Sequence, residues 1–154
     1  MTMGMTPEQF LQEQGALPPA AIRQITVADI RALELAIDQS GHRIDLPVQH
    51  HFTDGVYARE LTIPAGTVLT GRTHLKANLN LLTSGEISVL VDGHIKRITA
   101  PATIVSPAGV KRVAYAHTDC TWVTVHGTHL TDMAAIEAEF LEPEPMATRI
   151  EGIQ

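Results

Sequence analysis

The chain has one cysteine, few aromatic residues and no long apolar run. The single Cys120 excludes an intrachain disulfide and any metal cluster held by several cysteines, and we expect it to be a buried small side chain in a strand. Aromatic residues make up 4% of the chain, too few for a platform that stacks bases or sugars. Because no apolar run approaches the roughly 18 residues that span a bilayer, we expect no membrane partner.

Basic charge is scarce as well. The 11 lysines and arginines stand against 17 acidic residues, which gives a formal net charge of −6. Nonspecific binding of nucleic acid needs a basic surface, so we expect no nucleic-acid partner. The N-terminus lacks a basic stretch followed by an apolar one, so we expect no secretory signal. We expect a reducing compartment, the cytoplasm or a particle assembled in it.

The chain divides into three predicted regions, and the first, residues 1–43, is helical. One helix is predicted from Thr6 to Gly15, with Pro7 at its first position. A second helix has Thr26 as its N-cap and ends at Gly41, with Asp29 in the position of a capping box. Its apolar stripe predicts packing on a sheet or on a partner, and consists of Ile30, Leu33 and Ile37.

The second region, residues 44–127, is predicted to be a β-barrel. Turn signals at Ser84-Gly85 and Asp92-Gly93 separate short apolar runs, and a strand followed by "PAG" and another strand occurs twice. Many short strands at regular spacing indicate a sandwich or barrel, with no helices between them to build a parallel sheet.

The third region, residues 128–154, is predicted to be a short helix followed by an extended tail. Thr131 or Asp132 is the candidate N-cap, and Pro143 and Pro145 end the helix. The predicted apolar face of this helix consists of Met133, Ile136 and Phe140.

Two spaced motifs in the β-rich region resemble those of the cupin family. The first cupin motif has the order G-x5-H-x-H-x3–4-E-x6-G, and this chain has Gly66, Arg72-Thr73-His74, Asn78 and Gly85 at the matching positions. The second has the order G-x5-P-x-G-x2-H-x3-N. Its matching positions here are Pro101, Pro107-Ala108-Gly109, Arg112 and Ala116. The resemblance implies an all-β fold, a cupin double-stranded β-helix or jelly-roll barrel, here with an N-terminal helical segment and a short C-terminal helix.

The resemblance also implies where a metal would bind, and the chain departs from that pattern. The four ligand positions of the family correspond here to Arg72, His74, Asn78 and Arg112. Only His74 is a strong ligand, and a guanidinium group has no free lone pair with which to bind a cation. We therefore expect no metal and no other cofactor at this site.

The same four residues could instead bind an anion. Strand alternation would place Arg72, His74, Asn78 and Asn80 on one side if the strand were unbulged, and the family geometry places Arg112 opposite. Such a pocket would suit a carboxylate or phosphate. The simpler interpretation is that the arginines pair with carboxylates nearby, such as Glu60 or Glu86, or extend into solvent.

Other histidines and nucleophiles offer weaker sites. A metal could be bound by His74 together with His126 across the barrel, whereas adjacent His50 and His51 would point to opposite faces of a strand. Neither Ser84 nor Ser106 lies in a nucleophile elbow.

The two motif-bearing stretches are also similar to a cupin-like subgroup encoded by tailed phages and prophages, in which helices flank the barrel. This resemblance implies a non-enzymatic structural protein of the virion, of a capsid-decoration type. We expect a homo-oligomer that binds other capsid or tail proteins, with residues 1–25 and 142–154 as candidate arms. The alternatives are a small-molecule cupin enzyme and a regulatory sensor. The enzyme would be metal-free and epimerase-like, or metal-dependent through His74 and His126. In the metal-free form His74 would be the general base, because it is the only side chain of the pocket expected to titrate near neutral pH. The sensor ranks last because no DNA-binding helix pair is evident.

Overall fold

The computed structural model describes residues 24–143, and nine strands and two helices lie within that range. Helix α1 spans Val27–Ser40 and helix α2 spans Met133–Phe140. The first strands are β1 (Val48–Thr53), β2 (Val56–Ile63), β3 (Val68–Thr70), β4 (Asn78–Ser84) and β5 (Glu86–Val91). The remaining strands are β6 (His94–Thr99), β7 (Ala102–Ser106), β8 (Val113–Ala116) and β9 (Cys120–Gly127). The predicted helix at Thr6–Gly15 and most of the predicted tail lie outside the described residues.

The strands form two antiparallel sheets that face each other. One sheet has the order β1-β2-β9-β4-β7 and the other has the order β3-β8-β5-β6. Successive strands from β2 to β9 therefore switch between the sheets, except for the β5–β6 hairpin, in the pattern of a jelly roll with β1 added at one edge. This strand order confirms the predicted all-β jelly-roll fold.

The core lies between the sheets and is made of alternate side chains from both. Inward residues of β2, such as Leu61 and Ile63, meet Ile87 and Val89 from β5. Cys120 is buried in the same cluster, as predicted, and burial raises the pKa of its thiol.

Helix α1 covers the outer face of the four-stranded sheet. Its capping box is formed as predicted, since the Thr26 side chain accepts from the Asp29 amide and the Asp29 carboxylate accepts from the Thr26 amide. Ile30 and Leu33 pack on Leu90 and Val113, whose side chains point away from the barrel interior. The helix stripe is therefore a sheet-packing face.

Helix α2 lies across one end of the barrel. Asp132 is its N-cap and accepts a hydrogen bond from the Ala135 amide at 2.9 Å. Ile136 and Phe140 are buried against Tyr57 of β2. Neither helix among the described residues is long and apolar enough to cross a membrane.

Candidate functional site

The loop between β3 and β4 contains Arg72 and His74, the first two ligand positions of the first cupin motif. Residues 71–77 form no strand, so the condition for the predicted alternation, an unbulged strand from Arg72 to Asn78, is not met. Arg72, His74, Asn78 and Asn80 nevertheless all line one cavity. An isolated antiparallel bridge pairs His74 with Leu141 instead. Backbone bonds continue this pairing, from the Leu75 amide to the Phe140 carbonyl at 2.8 Å and from the Glu142 amide to the Thr73 carbonyl at 2.9 Å. The loop thus binds the chain's own C-terminal segment.

Basic side chains of the same loop fasten helix α2. An Arg72 Nη atom lies 3.5 Å from a Glu137 carboxylate oxygen, and the other Nη donates to the Glu142 carbonyl at 3.1 Å. Lys76 lies 2.6 Å from Glu139, and its ammonium group stands 5.2 Å from the centre of the Phe140 ring. These exposed ion pairs are individually weak, so most of the attachment comes from the buried Phe140 and the backbone bonds.

Arg112, at the position of the second-motif histidine, is used inside the barrel wall. Its Nε donates to the Ser106 hydroxyl at 3.2 Å, Nη2 donates to the same oxygen, and Nη1 donates to the Leu90 carbonyl. Burial lowers the pKa of this guanidinium group. The carboxylates named from the sequence bind other groups, since Glu60 pairs with His51 and Glu86 with Arg97. The interpretation that those two carboxylates pair with Arg72 and Arg112 is therefore wrong.

A polar network continues from Arg112 into the barrel. Asn80 is its centre: its amide nitrogen donates to the Ser106 hydroxyl and to the Asn78 side-chain oxygen, each at 2.8 Å. Its oxygen accepts from Thr124 at 2.8 Å and from the Trp122 indole at 3.1 Å. A buried network with its members satisfied in this way fixes side-chain positions. The sequence signals Asn80 only by its parity with Asn78 and gives no signal for Thr124.

His74 and His126 come together under helix α2. Their rings stack with centroids 5.3 Å apart, and His126 lies 4.4 Å from Phe140. The Nδ1 atoms of both histidines are buried without a hydrogen-bond partner. The other side of His126 stacks on Tyr57, with centroids 6.2 Å apart.

Among the described residues, no third metal ligand lies beside these two histidines. In the part of the chain that the structure describes, no three His, Cys, Asp or Glu side chains converge as a metal site would require. His50 bonds to Tyr57 and His51 to Glu60, so the adjacent pair does point to opposite faces as predicted. His129 pairs with Asp54 and is exposed, whereas His126 is buried.

A cavity of about 1620 Å³ extends from these histidines between the two sheets. Its lining combines polar side chains, among them His74, Asn78 and His126, with apolar ones such as Leu61 and Val89. The volume is larger than the roughly 300–1,000 Å³ of typical ligand pockets because the cavity is continuous with a groove beside helix α1.

His74 is held neutral in the folded chain. Burial is the largest cause of its lowered pKa, which is about 4, and His126 and nearby guanidinium groups lower it further. Burial also lowers the pKa of His126. The expectation that His74 titrates near neutral pH is therefore wrong. With a pKa of about 4, His74 is a poor general base at pH 7.

This lowered pKa predicts acid sensitivity. The unfolded chain binds the His74 proton near the ordinary pKa of 6.5, but the folded chain binds it only near 4, so folding stability should fall as pH drops between these values. One histidine contributes at most about 1.4 kcal/mol per pH unit, and solvent at the mouth reduces this. Urea unfolding at pH 7 and at pH 4.5 should show that the free energy of unfolding falls less for His74→Gln than for the wild type. The control His42→Gln, at an exposed position, should show the same dependence of unfolding free energy on pH as the wild type. A His74→Gln variant as acid-sensitive as the wild type would show that His74 does not cause the effect.

The strand order defines the fold class: the chain is a jelly roll, the fold that cupins have. Solved structures similar to it include a cupin superfamily protein from Desulfitobacterium hafniense, with 11% identity over 56% of this chain and 80% of that one and a TM-score of 0.47. An RmlC-like cupin from Shewanella frigidimarina has 23% identity over 53% and 75%, with a TM-score of 0.46. An acetylacetone dioxygenase from Acinetobacter johnsonii has 14% identity over 53% and 59%, with a TM-score of 0.44.

All three TM-scores lie below 0.5, so the assignment of the fold rests on the strand order itself. No family model and no curated protein matches the chain.

Proposed function

We propose that this chain is a non-enzymatic structural protein of a tailed-phage particle, in which the jelly roll serves as a rigid, oligomeric scaffold. The proposal rests on the contacts that the side chains at the family's metal-binding positions make in this chain. Arg72 helps to hold helix α2 across the barrel mouth, and Arg112 ties Ser106 to the Leu90 carbonyl. Residues that would perform chemistry in a cupin enzyme here join parts of the chain to one another.

Three further observations support a scaffold. His74 has the wrong pKa for a general base at pH 7. The thiol of Cys120 is buried with a raised pKa, which makes it a poor nucleophile. A jelly roll with one helix packed on a sheet and another on its end is a stable body that can present surfaces to neighbours.

The phage particle is the part of the proposal that rests on resemblance. The motif-bearing stretches are similar to cupin-like proteins of tailed phages, with a helical segment before the barrel and an acidic helix after it. In the particle, the candidate arms, residues 1–25 and 142–154, would contact other capsid or tail proteins, apart from Ile25 and Glu142, whose backbones bond to Gly93 and Thr73. The chain would be assembled in the host cytoplasm and found in the virion.

Mass spectrometry of purified particles tests this proposal. Particles prepared from the host that encodes this chain should contain it in a fixed ratio to the major capsid or tail proteins through two gradient steps. The Arg72→Ala variant loses the ion pair with Glu137 that helps to hold helix α2 at the barrel mouth. It should still be incorporated into particles, because an exposed ion pair contributes little to the stability of the fold. Complete absence of the chain from intact particles would contradict the proposal.

A small-molecule-binding cupin is the second candidate, favoured by the unpartnered Nδ1 atoms of His74 and His126 at the head of the cavity. In the anion-binding form, Arg72, His74, Asn78 and Arg112 would bind a carboxylate or phosphate. The Nε atom of Arg72 is itself buried without a hydrogen-bond partner, whereas Arg112 would have to leave Ser106 and the Leu90 carbonyl. In the metal-dependent form, His74 and His126 would need ligands from outside residues 24–143 or from water. A retained small molecule that is lost in His74→Ala would favour this candidate over the scaffold.

A further inference from the structure

Strand β3 has a free edge in the part of the chain that the structure describes. It lies at the end of the four-stranded sheet and pairs only with β8. On that side, the Gly71 amide and the Thr67 carbonyl form backbone bonds of 2.9 and 3.0 Å with the chain of β8. Because the backbone groups of successive residues point to opposite sides of a strand, those of Val68 and Thr70 point away from β8, along the free edge.

The free edge of β3 borders the cavity. Val68 and Thr70 line the cavity together with Ile44 and Leu46, which come from the segment between α1 and β1. Among the described residues, none forms a backbone bond to the outward groups of Val68 and Thr70. A row of unpaired backbone groups is a template for another strand, and proteins usually cover such an edge. The edge therefore predicts an extended occupant.

The chain that follows helix α2 already pairs along the continuation of this edge. The loop of residues 71–77 continues β3, and its Thr73 carbonyl accepts from the Glu142 amide at 2.9 Å. The pairing is antiparallel, as the bridge between His74 and Leu141 shows. Residues beyond Glu142 therefore run back along the loop in the direction of β3.

The prolines that follow Glu142 stand where such pairing does not need an N–H. The Glu142 amide points to the loop, so in an extended chain the amides of residues 144, 146 and 148 point the same way. Those of residues 143 and 145 would point outwards, and both residues are proline. Within sheets, proline is confined to positions where its missing N–H would face solvent. Pro143 and Pro145 would also prevent a further strand from pairing on the outside.

We infer that residues 144–148 of this chain pair antiparallel with the free edge of β3 and add a strand to the barrel. These residues lie outside the described range, and their composition fits a cavity edge, since Met146, Ala147 and Thr148 carry no charge. An attached segment is present at an effective concentration on the order of millimolar, so it outcompetes a separate chain at micromolar concentration. The pairing goes beyond the proposed function and does not depend on it, and it leaves residues 149–154 as the C-terminal arm.

Hydrogen exchange of single amides, measured by NMR on the untagged full chain, tests this pairing. In the wild type, the amides of Val68 and Thr70 should be protected, because both donate to the added strand. Met146→Pro removes an N–H that the pairing uses, so both amides should exchange at least about tenfold faster. Ala147→Pro is the matched control. Its N–H would point outwards, so the amides of Val68 and Thr70 should stay as protected as in the wild type.

Two further readings separate the backbone effect from other losses. Met146→Ala removes most of the side chain but keeps the N–H, so the amides of Val68 and Thr70 should remain more protected than in Met146→Pro. The amide of Leu81, in the middle of β4, lies between two paired strands. It should exchange equally slowly in all the chains, which shows that each variant is folded.

Three results would overturn the pairing. Amides of Val68 and Thr70 that exchange in the wild type as fast as in an unstructured chain would show that the edge has no occupant. Equal protection in both proline variants would assign the edge to another occupant, either residues 1–23 or, where protection falls on dilution, a second copy. Loss of protection in both would show that the amides of residues 144–148 do not alternate as proposed. None of these results bears on the presence of the chain in particles, so the proposed function is tested separately.

Discussion

The Phe140→Ala variant is expected to lose about 3–5 kcal/mol of folding free energy, because it removes the largest apolar side chain that holds helix α2 on the barrel. Phe140 is 3% exposed, packs against Ile136 and Tyr57, and lies on the His126 ring. Urea unfolding followed by the fluorescence of the single Trp122 measures the loss. The control Leu75→Ala removes a side chain that is 46% exposed at the same mouth, and should change stability by less than about 0.5 kcal/mol.

The same variant should also uncover His126. Burial is the cause of its lowered pKa, so loss of the Phe140 ring should move that pKa towards its ordinary value. Titration of the histidine ring signals by NMR reports the change, and the milder Phe140→Leu serves if the alanine variant does not fold. Equal stability of Phe140→Ala and Leu75→Ala, with an unmoved His126 pKa, would show that helix α2 does not close the barrel.

Among the glycines of residues 24–143, Gly85 is the one where substitution by alanine is expected to be most damaging. Gly85 has φ +90°, and an added Cβ would lie 2.3 Å from the Asp119 carbonyl oxygen and 2.6 Å from the sulfur of Cys120. The left-handed backbone conformation costs an alanine about 1–3 kcal/mol, and forcing a methyl group into a packed turn adds about 1–3 kcal/mol. Thermal and urea unfolding should show the combined loss.

Gly109→Ala separates these two costs. Gly109 has a similar φ of +86°, but no atom lies within 4 Å of the position of its Cβ. That variant should lose only the backbone part, about 1–3 kcal/mol. If the two alanine variants were equally stable, the close approach of Gly85 to the strand containing Cys120 would be wrong.

Local signals in the sequence predicted the turns and caps well. The Asp92-Gly93 turn has positive φ at both residues, as a tight hairpin requires, and Thr26 caps α1 with Asp29 as its partner. These features depend on side chains within a few residues of each other, so sequence spacing is sufficient to find them. Strand β1 is followed by a turn signal of the same kind, Asp54-Gly55, and Gly55 also has a positive φ. The strand itself was not predicted, because Val48–Thr53 is polar and largely exposed and lacks an apolar alternation.

The position of helix α2 could not be read from sequence. Its apolar stripe predicted that Ile136 and Phe140 would be buried, and they are. A stripe does not say which surface receives it. The partner of Arg72 is Glu137, 65 positions away in the chain, and not Glu60, because the fold rather than the spacing brings the barrel mouth to the helix.

The candidate site was predictable only as a set of positions. The motif spacing placed His74, Asn78 and Arg112 at the mouth, and all three line the cavity. Their roles depend on contacts with Ser106, Leu90 and Phe140. The motifs specify none of these three residues. The pKa of His74 likewise reflects burial under the helix, so residue type alone suggested the opposite behaviour.

Native mass spectrometry combined with metal analysis, on protein purified without an affinity tag, tests the central claim most directly. That claim is that the loop of the first motif has become an attachment point for helix α2, and the barrel a scaffold. We predict an oligomer free of stoichiometric metal and of any retained small molecule. A metal present at one equivalent per chain, or a bound anion that survives purification and disappears in His74→Ala, would contradict the claim and identify the barrel mouth as a working binding site.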